Sequence, residues 1–371
     1  MRRVRRIALR DFRSYTALDL ETDASAVVLY GPNGAGKTNL LEALSLMGPG
    51  RGLRRAAAAD VARQQGAGGW GVGIRVGETD DPISLSLRVE PSVPLRKSAQ
   101  IDGQSVSSTT SFAEHIRFQW LTPAQDRLFL DAPGDRRRFL DRMVLTGDAQ
   151  HAPRAMAYEK AMRQRQAVLA DRWDTDLLQL LELQMAEHGA EMVAARHRTL
   201  TSLAEGYGSI RAGAFPGADL AMAGPYDEAM AAGQSLEDIR GRLAGDLASG
   251  RRRDSEVGRA LSGPHRSDLE VTHREKDQAA RLCSTGEQKA LLVGLVLAHA
   301  ASVAVREEAP LVLLLDEISA HLDASRRAAL AEILAALRVQ AFMTGTDSEP
   351  FAPWAGEALM VEITEAGQVA G

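Results

Sequence analysis

The octapeptide GPNGAGKT at residues 31–38 limits the possible folds of this chain more than any other segment. It matches the pattern G-x-x-x-x-G-K-[ST] and lies between a short apolar run, AVVLY (26–30), and the helical pattern TNLLEALSLM (38–47). In that setting the glycines let backbone N–H groups wrap around phosphates, and the helix N-terminus adds positive potential. The motif therefore predicts an α/β nucleotide-binding domain rather than a glycine-rich turn with a chance lysine.

The residues of this loop have expected roles toward ATP and Mg²⁺. Lys37 is expected to contact the β- and γ-phosphates and to act in catalysis, and the Thr38 hydroxyl is expected to ligate Mg²⁺. The residues expected to surround the nucleotide are Gly31, Pro32, Asn33, Gly34, Ala35, Gly36, Lys37 and Thr38.

A second apolar run, LVLLL (311–315), ends in two carboxylates. A buried strand here would deliver Asp316 to the Mg²⁺ coordination sphere. Because side chains alternate along a strand, Glu317 is expected to point the other way and to polarise the attacking water. Solvated acids at a strand end are the alternative, and the phosphate loop earlier in the chain favours the catalytic interpretation.

The segment STGEQ (284–288) opens a long apolar helical pattern, ALLVGLVLAHAASVAV (290–305). It predicts a second helix N-terminus with a hydroxyl and a glycine, which is a second phosphate-binding device in one chain. One γ-phosphate can use both devices only if the second comes from another subunit. An ordinary capping box, with Glu287 at the third helical position, is the alternative.

Composition bounds the class of protein. The 371 residues are 45% hydrophobic and carry a formal net charge of −5, so nucleic-acid binding would depend on local patches. Cys283 is the single cysteine, which excludes an intrachain disulfide and a multi-cysteine metal site. The apolar segment 290–305 is shorter than the ~20 residues that span a bilayer. We therefore expect a soluble, cytoplasmic protein.

The pattern of strands and helices divides the chain into three segments. Strand patterns dominate up to residue 122, helical patterns dominate 123–262, and alternating strands and helices return in 263–371. The expected architecture is an α/β domain with a mixed sheet, formed by 1–122 and 263–371. A mostly helical lobe, 123–262, interrupts it.

The segment STGEQ resembles the signature motif of ABC-type ATPases, in an S-T-G form. The segment SAHLD (319–323), directly after the two carboxylates, resembles the D-loop of the same superfamily. The resemblance implies that Ser284, Gly286 and Gln288 serve the ATP of a partner subunit. The histidine expected at the end of the next strand is missing, and FMTGTD (342–347) offers threonines instead.

The motifs FRSY (12–15), RRRFLD (136–141), GPHR (263–266) and STGEQK (284–289) occur in the order found in the RecF family, which this chain resembles over nearly its whole length. The resemblance implies an ATP-dependent homodimer with weak, DNA-stimulated ATPase activity. Such proteins bind gapped DNA or single-strand to double-strand junctions, and they load recombinase with RecO and RecR in replication-fork maintenance and the SOS response. It also implies that Arg13 approaches the nucleotide.

Two positions depart from the family pattern. The family commonly has P-E-D at the entrance to the helical lobe, where this chain has PAQ (123–125), so Gln125 is the candidate that senses Mg²⁺ and water. GPHR is followed by Ser267 and Asp268 rather than by two acids.

DNA contacts are expected from basic side chains, for which surface ion pairs are the alternative. The candidates are Arg136, Arg137, Arg138, Arg251, Arg252, His265 and Arg266. Arg253, which continues the run from Arg251, and the arginine cluster at residues 2–6 are further candidates. The alternatives for the whole protein are the energising subunit of an ABC transporter and a generic P-loop enzyme such as a small-molecule kinase.

Overall fold

The computed structural model describes residues 2–78, 80–93, 96–171, 173–210, 215–305, 309–364 and 369–370. Contacts within the chain divide it into two compact units. Unit 1 comprises Met1–Asp126, Gly206–Pro216 and Ser284–Gly371, and unit 2 comprises Arg127–Glu205 and Gly217–Cys283. Residues 263–283 therefore group with the helical insertion, in contrast to the predicted boundary at 262, because the two strands they contain pair within unit 2.

In the described part of the chain, strands and helices occur in runs. The strands are β1 (Arg3–Phe12), β2 (Tyr15–Glu21), β3 (Ala26–Tyr30), β4 (Trp70–Gly77), β5 (Pro82–Val89), β6 (Lys97–Ile101), β7 (Gln104–Val106), β8 (Arg117–Leu121), β9 (Ala218–Ala223), β10 (Asp268–His273), β11 (Gln278–Ala279), β12 (Leu311–Leu315), β13 (Gln340–Gly345), β14 (Ala358–Ile363) and β15 (Val369–Ala370). The helices are α1 (Lys37–Ser45), α2 (Pro133–Gly147), α3 (His151–Asp171), α4 (Thr175–Ser209), α5 (Pro225–Ala231), α6 (Leu236–Ser249), α7 (Arg251–Val257), α8 (Thr285–Ala304) and α9 (Ala324–Leu337).

A largely parallel sheet of unit 1 carries the sequence motifs. Within the described residues its order is β15-β14-β3-β13-β12-β8, with only β15 antiparallel to its neighbour. Strands β12 and β13 are buried along their whole length, as expected where both faces of a parallel sheet are covered. Because the parallel strands share one direction, the phosphate loop, Asp316 and Thr344 all lie at the same carboxyl edge.

A second sheet of unit 1 is antiparallel, in the order β2-β1-β4-β5-β6-β7 within the described residues. Its strands alternate between buried and more exposed positions, so one face packs on the core and the other faces outward. The predicted antiparallel pairing of the first two strands is confirmed, with Leu9 opposite Leu18.

Unit 2 is mostly helical. In the described residues it adds one small sheet, in the order β11-β10-β9, to helices α2 to α7. Tyr158 on α3, Met185 on α4 and Leu243 on α6 belong to its apolar core. None of the described helices combines the length and hydropathy that crossing a membrane requires.

Candidate nucleotide site

The phosphate loop joins β3 to α1, and its glycines have backbone angles that other residues rarely adopt. Gly31, Gly34 and Gly36 have φ angles of +139°, +85° and +115°. A Cβ atom on Gly36 would lie 2.6 Å from Ser14 Oγ, and one on Gly31 would overlap the carbonyl of Ile363. The glycines of the motif therefore serve both the turn and close backbone packing.

The Lys37 ammonium lies inside the loop that it belongs to. Its Nζ donates to the carbonyl oxygens of Gly31 at 2.6 Å and Pro32 at 2.9 Å. Burial lowers the pKa of Lys37, and the charges of Glu317 and Asp316 oppose that shift. A phosphate bound in the loop would supply the negative charge that this buried ammonium lacks.

Asp316 is the centre of a hydrogen-bond network at the end of β12. Thr38 Oγ1 donates to Asp316 at 2.8 Å to Oδ1 and 3.1 Å to Oδ2, and Thr344 Oγ1 donates to Oδ1 at 2.8 Å. The backbone N–H of Glu317 in turn donates to Thr344 Oγ1 at 2.8 Å. The network brings three predicted residues together and adds Thr344 as the side chain that connects the two acidic positions.

Glu317 does not occupy the strand position that alternation predicts. Strand β12 ends at Leu315, and Glu317 has a φ of +52°, in the left-handed region. The side chain is exposed at the carboxyl edge, and its charge acts on Lys37. Its direction therefore comes from a local turn held by Thr344 rather than from the pleat of the sheet.

The donor set around Asp316 fits Mg²⁺. It offers carboxylate and hydroxyl oxygens, which are the ligands a small hard cation prefers, and the described residues contain no cluster of three His, Cys, Asp or Glu that would form an all-protein metal site. Magnesium commonly takes one or two protein ligands and completes its shell with water and phosphate oxygens. Thr38 and Asp316 would hold it.

Gln125 lies near this edge but is engaged locally. It follows β8, whose Leu121 carbonyl accepts the N–H of Asp316 at 2.8 Å. The Oε1 atom of Gln125 accepts the backbone N–H of Thr122 at 3.0 Å, in a capping box of a short 3₁₀ turn. A role for Gln125 toward Mg²⁺ stays a prediction.

Arg13 forms an ion pair that the sequence did not reveal. Its guanidinium donates to both carboxylate oxygens of Glu42, at 2.9 and 2.7 Å, and to the Asp60 carbonyl at 2.6 Å. Glu42 lies on α1 and its side chain is 1% exposed, and Arg54 also donates to it at 2.7 Å. Two guanidinium groups thus compensate one buried carboxylate. The available signal was an acid within the apolar run LLEAL (40–44).

The turn before α8 forms the predicted capping box, and its role toward a partner's nucleotide stays a prediction. Ser284 Oγ and its backbone N–H each donate to Glu287 Oε2 at 2.9 Å, which is a capping box. Ser284, Thr285 and Gly286 are also exposed, so the turn is available to a second molecule. Gln288 is only 4% exposed, so it has little surface to offer a partner, and its expected role toward a partner's ATP stays a prediction.

Most of the arginines considered for DNA make contacts within unit 2. Arg136 donates to both oxygens of Asp268 at 2.7 Å, and Arg137 donates to the Ser267 carbonyl. Arg251 donates to both oxygens of Glu182, at distances down to 2.6 Å. These three side chains therefore have structural partners, and fewer of their N–H donors remain for a ligand.

The remaining candidates divide by exposure. His265 is partly buried and contacts Tyr158 Oη at 2.7 Å and the Ala260 carbonyl at 3.1 Å; burial lowers its pKa. Arg266 is exposed. Arg138 and Arg252 are 51% and 88% exposed and pair with acids on their own helices. Exposed pairs of this kind contribute little to stability, so these arginines can leave their acids and bind a phosphate instead.

A nucleotide-binding sheet of this order, with its phosphate loop, its Asp-Glu edge and a helical insertion, defines an ABC-type P-loop ATPase. Residues 3–367 match the family described as RecF/RecN/SMC N terminal domain. The chain is 46% identical to the DNA replication and repair protein RecF of Caulobacter vibrioides, over 97% of this chain and 96% of that protein. It is also 46% identical to RecF of Allorhizobium ampelinum, over 98% and 97%. The chain belongs to the RecF family.

Solved structures show the same fold. A structure of the recombination mediator protein RecF of the RecFOR pathway superposes with a TM-score of 0.85 at 21% identity, covering 99% of this chain and 97% of that one. An SMC head domain from Pyrococcus furiosus superposes with a TM-score of 0.54 at 18% identity, covering 100% and 96%. The family places the chain among DNA replication and repair proteins, in preference to the transporter alternative.

Proposed function

We propose that this chain is an ATP-dependent DNA-binding protein that dimerises around ATP and acts in recombinational repair at single-strand gaps. The observation that carries the dimer is the exposed turn at Ser284 to Gly286, on the same unit as the phosphate loop. A second copy would place this helix N-terminus on the γ-phosphate held by the loop. ATP then links the copies because it binds the dimer in preference to the monomer.

Hydrolysis would reset this dimer. Lys37 neutralises the β- and γ-phosphates, and Glu317 orients the attacking water and takes its proton. Thr38 and Asp316 would hold Mg²⁺, which would neutralise part of the phosphate charge when bound. The slow, DNA-stimulated ATPase implied by the resemblance fits a switch rather than a metabolic enzyme.

The nucleoside has its own space beside the loop. A cavity of about 460 Å³ in unit 1 is lined by residues that include Arg13, Ser14, Asn39 and Arg63. Asn39 directly follows Thr38 of the phosphate loop, which supports this cavity as the place for the nucleoside. The solved relatives of this fold are described as RecF with ATP and with ATPrS, which supports ATP as the ligand here.

The biological setting comes from the family. Relatives are named as DNA replication and repair proteins, and the matching structures belong to the RecFOR pathway. With this support we propose that the chain acts at gapped or junction DNA in the cytoplasm, with RecR and RecO as its partners in recombinase loading.

The dimer is tested by Ser284→Arg. A long side chain at the turn fills the space that a partner's γ-phosphate needs, so ATP should no longer raise the dimer fraction in sedimentation velocity. The expected rise in dimer dissociation constant is at least about tenfold, or roughly 1.4 kcal/mol. ATP affinity, measured by fluorescence titration, should stay within a few-fold of the parent.

Ser235→Arg is the matched control, because Ser235 also caps a helix through a capping box and is also exposed, but in unit 2. Both variants lose a cap, at a cost of about 1 kcal/mol. Dimerisation by Ser284→Arg to the same extent as by the control would refute the shared-nucleotide dimer.

Thr344→Val tests the network at the carboxyl edge. The hydroxyl is buried, donates to Asp316 and accepts the Glu317 N–H, so its loss leaves both groups less fixed. A hydrogen bond to a charged group contributes about 1.5–3 kcal/mol, and we expect kcat to fall at least tenfold with little change in KM. Thr344→Ser keeps the hydroxyl and should restore most of the turnover. Equal losses in both variants would indicate a packing role instead.

A further inference from the structure

The outward face of the antiparallel sheet in unit 1 carries arginines around a strip of glycine and alanine. On β4, Val72, Ile74 and Val76 are buried, so the alternate positions 71, 73 and 75 face outward. The same alternation turns positions 6, 8 and 10 of β1 and positions 84, 86 and 88 of β5 outward. These nine positions are Arg6, Ala8, Arg10, Gly71, Gly73, Arg75, Ser84, Ser86 and Arg88.

Strand register sets the plan of this face. Ala8 pairs with Gly73, and Gly71 pairs with Arg10 on one side and with Arg88 on the other. Arg6 pairs with Arg75 at the other end. The floor therefore consists of Ala8, Gly71 and Gly73, and the walls are Arg6, Arg10, Arg75 and Arg88; we call this surface the arginine trough.

The floor is open. A Cβ on Gly71 would meet only Arg88 Cγ at 3.8 Å and Arg10 Cβ at 3.9 Å, and one on Gly73 would meet only Ala8 Cβ and the Leu85 carbonyl at 4.0 Å. Glycine within a strand costs roughly 0.5–1 kcal/mol relative to alanine and often marks a bulge, a bend, or a place where a ligand or another backbone approaches closely. The register is regular at positions 71–75, so neither glycine lies at a bulge. Two such glycines on one face of one strand therefore point to a ligand.

The four wall arginines outnumber the two acids, Asp19 and Glu21, that neighbour them on this face. Arg10, Arg75 and Arg88 are exposed, and their side chains form no hydrogen bond or ion pair within the described part of the chain. Arg6 and Arg75 lie directly opposite each other, an arrangement of like charges that destabilises a sheet.

One acid relieves part of this charge. Asp19 on β2 accepts from Arg6, and its pKa is lowered first by that hydrogen bond and then by the charges of Arg6, Arg10 and Arg75. Glu21 lies opposite Arg6 on the same edge strand. The acids thus sit at one edge, and the end that holds Arg10 and Arg88 has small or basic neighbours on this face.

We propose that the arginine trough binds the sugar-phosphate backbone of duplex DNA. Arginine contacts phosphate through two parallel N–H groups, and a floor of glycine and alanine lets a backbone lie close to the sheet. None of the nine outward positions, all of them in the described residues, is aromatic, so the surface offers no platform for stacking unpaired bases. This surface deepens the DNA binding proposed above and rests on it.

The test measures duplex binding at several salt concentrations. The full chain with ATP and Mg²⁺ is titrated against a fluorescein-labelled duplex and against the same strand unpaired. Replacing Arg10 and Arg88 with glutamine removes two phosphate contacts. The negative slope of log K against log salt should therefore become shallower by about 1.8. If the two proteins bind equally at 1 M salt, this corresponds at 0.1 M salt to a loss of roughly 60-fold in duplex affinity. ATP affinity reports that the variant is folded.

Two sets of control variants are needed. One tests whether the position of the lost positive charge matters, and the other separates the effect of added negative charge from the effect of added side-chain volume. Arg326→Gln with Arg338→Gln removes the same charge from α9 and the residue after it in unit 1, and should leave the slope unchanged. Gly73→Glu places bulk and negative charge on the floor, whereas Gly73→Gln places bulk alone; the Glu variant should bind duplex less tightly than the Gln variant.

The outcomes separate this surface from DNA binding itself. If the parent chain binds the duplex and the Arg10/Arg88 variant matches it in slope and affinity, the trough is not the interface. A loss confined to a variant with Arg138→Gln and Arg252→Gln would place the interface in unit 2 and also overturn it. A loss confined to the unpaired strand would contradict the duplex assignment. A parent chain that binds neither probe would refute the proposed function as well.

Discussion

Glu317→Gln is expected to lower ATP turnover by roughly 10²- to 10⁴-fold, the range of a lost general base, while the ATP-linked dimer persists. The amide keeps the volume of the carboxylate but cannot take a proton from water. The backbone of Glu317 is fixed by its N–H bond to Thr344, so the substitution should not displace the side chain. Single-turnover phosphate release measures the chemical step, and sedimentation with ATP measures the dimer.

A second exposed glutamate provides the control for this substitution. Glu349 is exposed in the same unit and begins a short 3₁₀ segment, so Glu349→Gln should turn over ATP at the parental rate. Combining Glu317→Gln with Ser284→Arg should abolish the persistent dimer, because the partner's turn is then lost. Parental turnover in Glu317→Gln would mean that another group activates the water, and the switch would need a different reset.

The sequence predicted the elements that periodicity and spacing encode. The phosphate loop, its flanking strand and helix, and the carboxylates after β12 were predicted at the residues where the structure has them. The strand β8 was not predicted, because RFQWL (117–121) is short and mixes charged and polar residues with apolar ones. It nevertheless pairs with β12 along its whole length, which shows that sheet context overrides a weak local pattern.

The direction of the side chains at the nucleotide site could not be predicted from the sequence alone. Alternation placed Glu317 on a strand, whereas a left-handed backbone at that residue ends the strand and redirects the side chain. Thr344 was visible only as a residue at the place of a missing histidine, and its bond to Asp316 depends on the neighbouring strands β12 and β13. Contacts of this kind join residues 28 positions apart, which no local pattern records.

The DNA candidates show the same limit for charge. Arg136 lies 132 residues before its partner Asp268, and Arg251 lies 69 residues after Glu182. A run of arginines therefore looks alike in sequence whether it binds phosphate or satisfies acids of its own fold. The arginine trough was hidden for the opposite reason, because its members are spread over three strands and meet only through the register of the sheet.

Arg165→Met is expected to destabilise unit 2 by about 3–5 kcal/mol, the range for breaking a buried ion pair. Arg165 is 1% exposed and donates to Glu182 at 3.0 Å and Asp254 at 2.8 Å. Its third contact is the Leu247 carbonyl at 2.8 Å. Methionine fills much of the space but leaves two buried carboxylates with less compensation. Urea unfolding followed by the circular dichroism of the helices measures the loss.

Arg163→Met is the control that separates the effect of losing a buried charge from the effect of losing any arginine charge on the same helix. Arg163 lies on the same helix, is 69% exposed and pairs only weakly with Glu159 at 3.6 Å, so its loss should change stability by less than about 1 kcal/mol. Arg251 shares Glu182 with Arg165, so Arg251→Gln should also reduce stability, without the change in salt slope that a lost phosphate contact produces. Unchanged stability in Arg165→Met would show that the buried charges are not coupled. A lower salt slope in Arg251→Gln would restore Arg251 as a DNA contact.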